Sequence, residues 1–191
     1  MRYVMRYVTR YLSLFALALT AACGDSLGLS ASFANKVDTV SIYALSKTPV
    51  ATPSGYYMAQ GIVVRTDGFL PFDFAFDIDS TGKGLLLPTG PLKLGRLSGL
   101  QISALAFDSI RIAPTTRYQL DSAVVVDSNT VAIAQSRPVT CPNGLPGAYY
   151  AKLHVLSIDT TSAPTGRRLK MEILDDTNCG FRGLQPGLPR S

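Results

Sequence analysis

The chain has 191 residues, and its 18 lysines and arginines against 13 aspartates and glutamates give a formal net charge of +5. Three of the basic residues lie within the first ten positions, and the remaining 15 form no basic run, so nucleic acid is not an expected partner. The length suits one domain with a single sizeable core, and no motif in the chain indicates a cofactor.

The first 22 residues have the organisation of a secretory signal. Arg2, Arg6 and Arg10 precede an apolar stretch that runs from Tyr11 to Ala22. About a dozen residues of helix would span only ~18 Å, whereas the hydrocarbon core of a bilayer is ~30 Å thick. The sequence therefore predicts a cleaved signal peptide over residues 1–22 rather than a permanent transmembrane helix.

The end of this segment reads Thr20-Ala21-Ala22-Cys23. It resembles the lipobox of bacterial lipoproteins, in which small residues admit the peptidase and the cysteine thiol is acylated, although the aliphatic Leu19 lies one position early. The resemblance implies a mature protein that begins at a lipidated Cys23 and is held at the cell envelope by its lipid. Gly24 in place of aspartate favours the outer membrane, facing the periplasm or the cell surface. Cleavage after Ala22 without acylation is the alternative.

Residues 23–35 are small and weakly patterned, which predicts a flexible tether, and one domain is predicted over residues 36–191. Within the tether, the run from Gly24 to Gly28 matches both the G-x-S-x-G elbow of α/β-hydrolases and the Gly-Asp-Ser-Leu block of an esterase family. The elbow requires a serine on a strained turn between a core strand and a helix, whereas the hydrophobic run before Ser26 is the signal. The esterase family also needs an Asp-x-x-His block, and Ala151 replaces that aspartate three residues before the histidine. We therefore expect no catalytic residue here.

Short segments of alternating polarity, separated by glycines and prolines, predict an all-β domain. In the clearest of them, residues 72–79, three phenylalanines and an isoleucine would share a buried face, and Asp73, Ala75, Asp77 and Asp79 the solvent face. The pattern indicates an antiparallel β-sandwich of about eight or nine strands, with a small up-and-down β-barrel as the alternative. The predicted strands are 37–45, 56–65, 72–79, 85–87, 101–112, 117–126, 130–136, 148–158 and 167–174, with a short helix conceivable near 97–105.

Two of the three cysteines, Cys141 and Cys179, are predicted to form a disulfide. If Cys23 is acylated, they remain as an even pair in an oxidising compartment. A hairpin formed by strands 148–158 and 167–174 would bring the two cysteines near each other. Two unpaired buried thiols are the alternative.

Other candidate sites have structural explanations. Asp77, Asp79 and Thr81 resemble the first half of an EF-hand-like calcium loop, but Pro88 stands where the bidentate glutamate belongs, and the carboxylates also suit a strand that enters a turn. His154, the single histidine, lies on a strand face with Lys152, which is the usual setting of a structural histidine. No second histidine exists to support general-base chemistry.

Three functional hypotheses follow from the sequence. The first is a lipid-anchored, non-enzymatic β-sandwich that binds a protein, glycan or small molecule at the envelope, or serves structurally. The second is an envelope carrier of a small hydrophobic ligand in a β-barrel, although the absence of tryptophan removes the Gly-x-Trp signature of lipocalins. The third is an esterase that uses Ser26.

Overall fold

The computed structural model describes residues 31–161 and 166–189, which belong to one compact unit that begins at Ala31. Strands and the loops between them make up these residues, so the predicted all-β class is confirmed. Cys23 and Ser26 lie outside the described residues, as does the predicted signal. The strands are β1 (Lys36–Tyr43), β2 (Gly55–Tyr57), β3 (Ile62–Val64), β4 (Phe74–Ile78), β5 (Gly84–Pro88), β6 (Gly99–Ile102), β7 (Val124–Val126), β8 (Val131–Gln135), β9 (Val139–Thr140), β10 (Pro146–Gly147), β11 (Tyr150–Asp159) and β12 (Arg168–Asp176).

Ten of the strands form two five-stranded antiparallel sheets. Sheet 1 has the order β1-β12-β11-β8-β6, and sheet 2 has the order β3-β2-β4-β5-β7, while β9 and β10 form a separate two-stranded ribbon. Each sheet ends in two different edge strands, so neither closes on itself. The predicted sandwich is confirmed, and the alternative of an up-and-down barrel is wrong.

The main core lies between the two sheets because side chains alternate along each strand. Phe74, Phe76 and Ile78 of β4 face inward, as the alternation predicted, with 1%, 0% and 3% of their surfaces exposed. Leu153 of β11 and Met171 of β12 contribute to the same cluster from sheet 1. The long hairpin of these two strands is paired from Tyr150–Asp176 to Asp159–Arg168, with one bulge after Val155.

The opposite face of β4 is not a solvent face where the strand begins, which corrects the sequence prediction. Ala75 is fully buried in a smaller cluster with Val64, and Asp73 is only 1% exposed. Phe72 joins this smaller cluster instead of the main core, because the strand starts at Phe74 and the alternation does not extend to residue 72. Flanking strands and loops cover both sides of this central strand.

Four other predicted elements differ from the structure. The segment 56–65 forms two strands, β2 and β3, because the chain turns at Gly61, whose φ of +65° suits glycine. The segments 101–112 and 117–126 are mostly irregular: each has a strand only at one end, and isolated β-bridges at Ile112 and Gln119 near the other. The helix conceivable near 97–105 is absent, and a single 3₁₀ turn at Phe107–Ser109 follows that region instead. Among the described residues, no helix is long and apolar enough to cross a membrane.

The last residues of the predicted tether are attached to the domain. The backbone N–H groups of Ser32 and Phe33 both donate to Oδ1 of Asn178, at 2.8 and 2.9 Å. Asn35 is 3% exposed and forms a two-way backbone bridge with Gly187. The described end of the segment 23–35 is therefore held against the C-terminal residues.

Candidate functional site

A second hydrophobic cluster covers part of the outer face of sheet 1. Phe107 and Ile110, from the irregular segment after β6, pack there against Ile133 of β8 and Leu174 of β12. The segment is irregular because these side chains fold back onto the sheet instead of continuing the strand. This second layer creates the walls of the candidate site.

Lys152 of β11 holds this second layer against sheet 1. Its side chain is 2% exposed, and Nζ donates to the backbone oxygens of Phe107 at 2.8 Å and Ile110 at 3.1 Å. Nζ also lies 4.5 Å from the centre of the Phe107 ring, in a cation–π contact. Burial lowers the pKa of Lys152, and the charges of Asp108 and Glu172 oppose that shift. The sequence suggested only a partly exposed strand face here.

A groove of about 390 Å³ opens beside this layer, between the end of β6 and the segment 110–114. Arg182 closes one wall, because its backbone oxygen accepts from Ala113 N at 2.8 Å and its guanidinium donates to Ala113 O. Arg111 adds a second cation to the lining. No carboxylate, histidine or cysteine is among the described residues that line the groove.

Two buried polar atoms of the lining are left without a hydrogen bond. They are Oε1 of Gln101, an acceptor, and Nε of Arg182, a donor, and neither has a partner among the described residues. Buried polar atoms in native proteins are almost always paired with protein or water. Both atoms are shielded from solvent by the protein around them, so the polar groups that the groove offers to a ligand are the other parts of its lining side chains.

Apolar side chains at the same groove are unusually exposed. Ile102, Leu105 and Ile112 have 47%, 58% and 66% of their surfaces accessible, although all three line it. Exposed apolar residues gathered around convergent polar groups are typical of ligand sites. The arrangement can hold a ligand that is apolar at one end and negatively charged at the other.

The predicted calcium residues are engaged in hydrogen bonds within the protein: Asp79 within its turn, and Asp77 with Ser46. Oδ1 of Asp79 accepts from the backbone N–H groups of Thr81 at 2.8 Å and Lys83 at 2.9 Å, and these bonds lower its pKa. Oδ1 of Asp77 instead accepts from the N–H and the hydroxyl of Ser46. Among the described residues, no three histidine, cysteine, aspartate or glutamate side chains are grouped as a metal site would require.

His154 lies on the outer face of sheet 1, at one side of the second cluster. Its Nδ1 is 3.7 Å from Oε2 of Glu172, which is its cross-strand partner on β12. Both side chains are partly exposed, and the imidazole lies near the ring of Phe107, with centroids 6.3 Å apart. This is a surface pair that supports the second layer, and it is not part of the groove lining.

Cys141 and Cys179 are disulfide-bonded, with Cα atoms 5.5 Å apart, so the predicted pairing is confirmed. They lie just beyond the end of the β11–β12 hairpin where Tyr150 pairs with Asp176. Gly147 of the ribbon passes so close to the bridge that a Cβ there would clash with the sulfur of Cys141. The disulfide joins the ribbon to the segment that follows β12.

The sequence did not identify two carboxylates that lie in the interior of the protein, those of Asp73 and Asp175. Asp73, expected on a solvent face, accepts from Met58 N at 2.9 Å and forms an ion pair with Arg137 at 3.3 Å. Asp175 accepts from the hydroxyl of Tyr56 at 3.4 Å, while its other oxygen is buried without a partner among the described residues. Burial raises the pKa of Asp175 well above its ordinary value, and the charges of Asp73 and Asp176 add to the shift.

Asp175→Asn is expected to stabilise the protein at pH 7 by about 1–3 kcal/mol, because the amide fills the same space without the carboxylate charge, which is buried near Asp73 and Asp176. Since the folded-state pKa of Asp175 is raised, its stabilising contribution is complete below the unfolded-state pKa and is lost as pH rises through the folded-state pKa. Urea unfolding between pH 3.5 and 8 should show the variant gaining over the wild type as pH rises. The control is Asp67→Asn. The hydrogen bond with Arg65 lowers the pKa of Asp67, so this variant should instead lose stability relative to the wild type as pH rises. A constant difference across this range would contradict the assignment.

None of the groove's functional groups was identified as a site from the sequence. Gln101 and Arg111 fall within a predicted strand, and Arg182 lies in the tail after the last one. An isolated arginine and an isolated glutamine carry no motif, so only the fold brings them together. No protein-family model, curated protein or solved structure matches the chain.

Proposed function

We propose that the chain is a lipoprotein of the bacterial cell envelope, anchored through Cys23, and that its β-sandwich binds a ligand in the groove without catalysing a reaction. Support for the anchor comes from Thr20-Ala21-Ala22-Cys23 after an apolar stretch. The disulfide between Cys141 and Cys179 suits such a location, because disulfides persist in oxidising compartments and are rare in the cytosol.

One observation carries the binding function: the groove combines exposed apolar side chains with the two arginines Arg111 and Arg182. Among the described residues, the ionisable groups of its lining are the guanidinium groups of Arg111 and Arg182. Such groups bind and orient anions, whereas proton transfer at neutral pH needs a group that titrates there. The lining therefore favours recognition over catalysis.

The anchor is tested by expressing the full chain in a bacterium and measuring the mass of the mature N-terminal peptide. We expect the sulfur of Cys23 to displace the phosphate head group of a phospholipid and form a thioether to diacylglycerol, with loss of the thiol proton. Hydrolysis of the Ala22–Cys23 peptide bond would then make Cys23 the N-terminus. The wild type should enter the detergent phase on extraction.

Cys23→Ala should remove the lipid mass and shift the protein to the aqueous phase. Ser26→Ala is the matched control, because it changes a neighbouring residue of the predicted tether and should leave both the mass addition and the partitioning intact. An unmodified Cys23, or a mature terminus elsewhere, would reject the anchor.

A further inference from the structure

We infer that one end of the β-sandwich docks on an anionic phospholipid bilayer, through exposed apolar side chains and lysines at the place where the N-terminal segment joins the domain. We call this end, at which β1 begins and β12 ends, the proximal end, and the opposite end the distal end. The inference rests on the proposed anchor at Cys23 and goes beyond it, because it assigns the surface of the domain that contacts the lipid.

Strand pairing defines which segments lie at the proximal end. β11 begins there, because Tyr150 pairs with Asp176 at the end of β12, and β8 ends there beside the start of β6. Arg137 follows β8 and donates to Asp73, which precedes β4, so β4 begins and β5 ends at the same end. The segments at this end are 31–37, 89–98, 136–149, 177–180 and 186–189.

The N-terminal segment brings the proximal end close to the proposed lipid. The backbone N–H groups of Ser32 and Phe33 donate to Asn178, just after β12. Ser32 follows Cys23 by nine positions, and a chain of that length reaches at most about 30 Å. A lipid on Cys23 would therefore keep the proximal end within about 30 Å of the bilayer, whereas no such restraint would act on a partner protein.

Four exposed apolar side chains lie in the proximal segments. About half or more of the surface of each is accessible, and each belongs to a different segment: Phe33, Leu94, Leu145 and Leu188. Apolar side chains exposed in one region mark sites of contact with proteins or membranes. Val50 at the distal end is also exposed, however, so exposure alone does not select the proximal end.

Charge distinguishes the two ends. The proximal segments contain two lysines and two arginines, and they contain no aspartate or glutamate. At the distal end, β4, β7 and β11 each lead into a turn through an aspartate, namely Asp79, Asp127 and Asp159. An anionic bilayer would attract the proximal end and repel the carboxylates of the distal end.

Two of the proximal cations are available to lipid head groups. Arg96 and Arg137 are already paired with aspartates. Lys36 and Lys93 are exposed and form no ion pair among the described residues. A basic residue near an anionic membrane strengthens binding by about fivefold, so the two lysines together would contribute at least about tenfold. The lysines would bind phosphate head groups while the apolar side chains enter the bilayer interface.

Single tryptophans test the contact, because the natural chain has none. Leu188→Trp and Leu94→Trp place one at the proximal end, and Val50→Trp, also at an exposed position, is the matched control at the distal end. The full chain is expressed in a bacterium, and the purified protein is combined with vesicles of phosphatidylcholine, with or without phosphatidylglycerol. With phosphatidylglycerol, we expect the emission of both proximal tryptophans to shift to shorter wavelength and to be quenched by brominated lipid. Val50→Trp should show neither effect.

Lys36→Gln combined with Lys93→Gln, in the chain that carries Leu188→Trp, removes the two exposed cations. The ratio of lipid-quenched to unquenched tryptophan should fall by at least about tenfold. Lys47→Gln combined with Lys83→Gln is the matched control, since both lysines are exposed at the distal end and Lys47 shares the positive φ of Lys93. It should leave the ratio unchanged. Circular dichroism and urea unfolding verify that every variant is folded.

Quenching that is equal at Leu188→Trp and Val50→Trp, or equal in the neutral and the anionic vesicles, would overturn the inference. A shift that depends on protein concentration and not on vesicles would also overturn it, because a second copy of the chain would then cover the proximal end. The mass of the N-terminal peptide is measured in the same samples. An acylated Cys23 with an unquenched Leu188→Trp would retain the anchor and reject the docking surface, whereas quenching without acylation would retain the docking surface and reject the anchor.

Discussion

Replacing Cys141 and Cys179 together with alanine is expected to lower the free energy of unfolding by about 3–4 kcal/mol. The bridge joins residues 38 positions apart, and it constrains the unfolded chain over that whole loop. In the folded protein it ties the β9–β10 ribbon to the segment after β12. Since these parts have only short strands of their own, we expect them to lose order first.

Urea unfolding monitored by circular dichroism measures this effect. The wild type treated with a reductant should unfold at nearly the same urea concentration as the double variant, and the reductant should not change the double variant itself. Equal stability of the oxidised wild type and the double variant would show that the bridge contributes little.

Lys152→Met should destabilise the protein by about 2–4 kcal/mol, because two carbonyl groups lose a buried charged donor. Methionine replaces most of the apolar stem of the lysine, so the loss reflects the ammonium group rather than a large cavity. The Nζ bonds to Phe107 and Ile110 fasten the second layer to sheet 1. We therefore expect the segment from Ser103 to Pro114, which forms one wall of the groove, to open more often.

Hydrogen exchange and urea unfolding together test the role of Lys152. Exchange should accelerate in the segment 103–114 of the variant and remain slow in β11 and β12. Lys170→Met is the matched control, because Lys170 belongs to the same sheet but is exposed. It should alter neither quantity appreciably. Unchanged protection of the segment in Lys152→Met would show that Lys152 does not hold the second layer.

The alternation of side chains was sufficient to predict the fold class and much of the strand order along the chain. Six strands lie close to their predicted positions, because a strand with apolar residues at every second position has one face that becomes buried. They are β1, β4, β5, β8, β11 and β12. The cysteine pairing followed from the same pattern, since an antiparallel hairpin of β11 and β12 brings its two flanks together. These are consequences of local periodicity and chain connectivity.

The tertiary structure alone decided which polar residues are buried and where the groove lies. Asp73 and Asp79 look alike in the alternating segment, yet Asp73 is buried against Arg137 and Asp79 closes an exposed turn. Lys152 lies under a layer contributed by residues more than forty positions away. Burial of a polar group depends on what covers the sheet face, and the covering segments, with Arg111 and Arg182, lack a regular period. The sequence by itself determined the all-β class and the positions of the longer alternating strands, whereas long-range packing determined which side chains meet in a site.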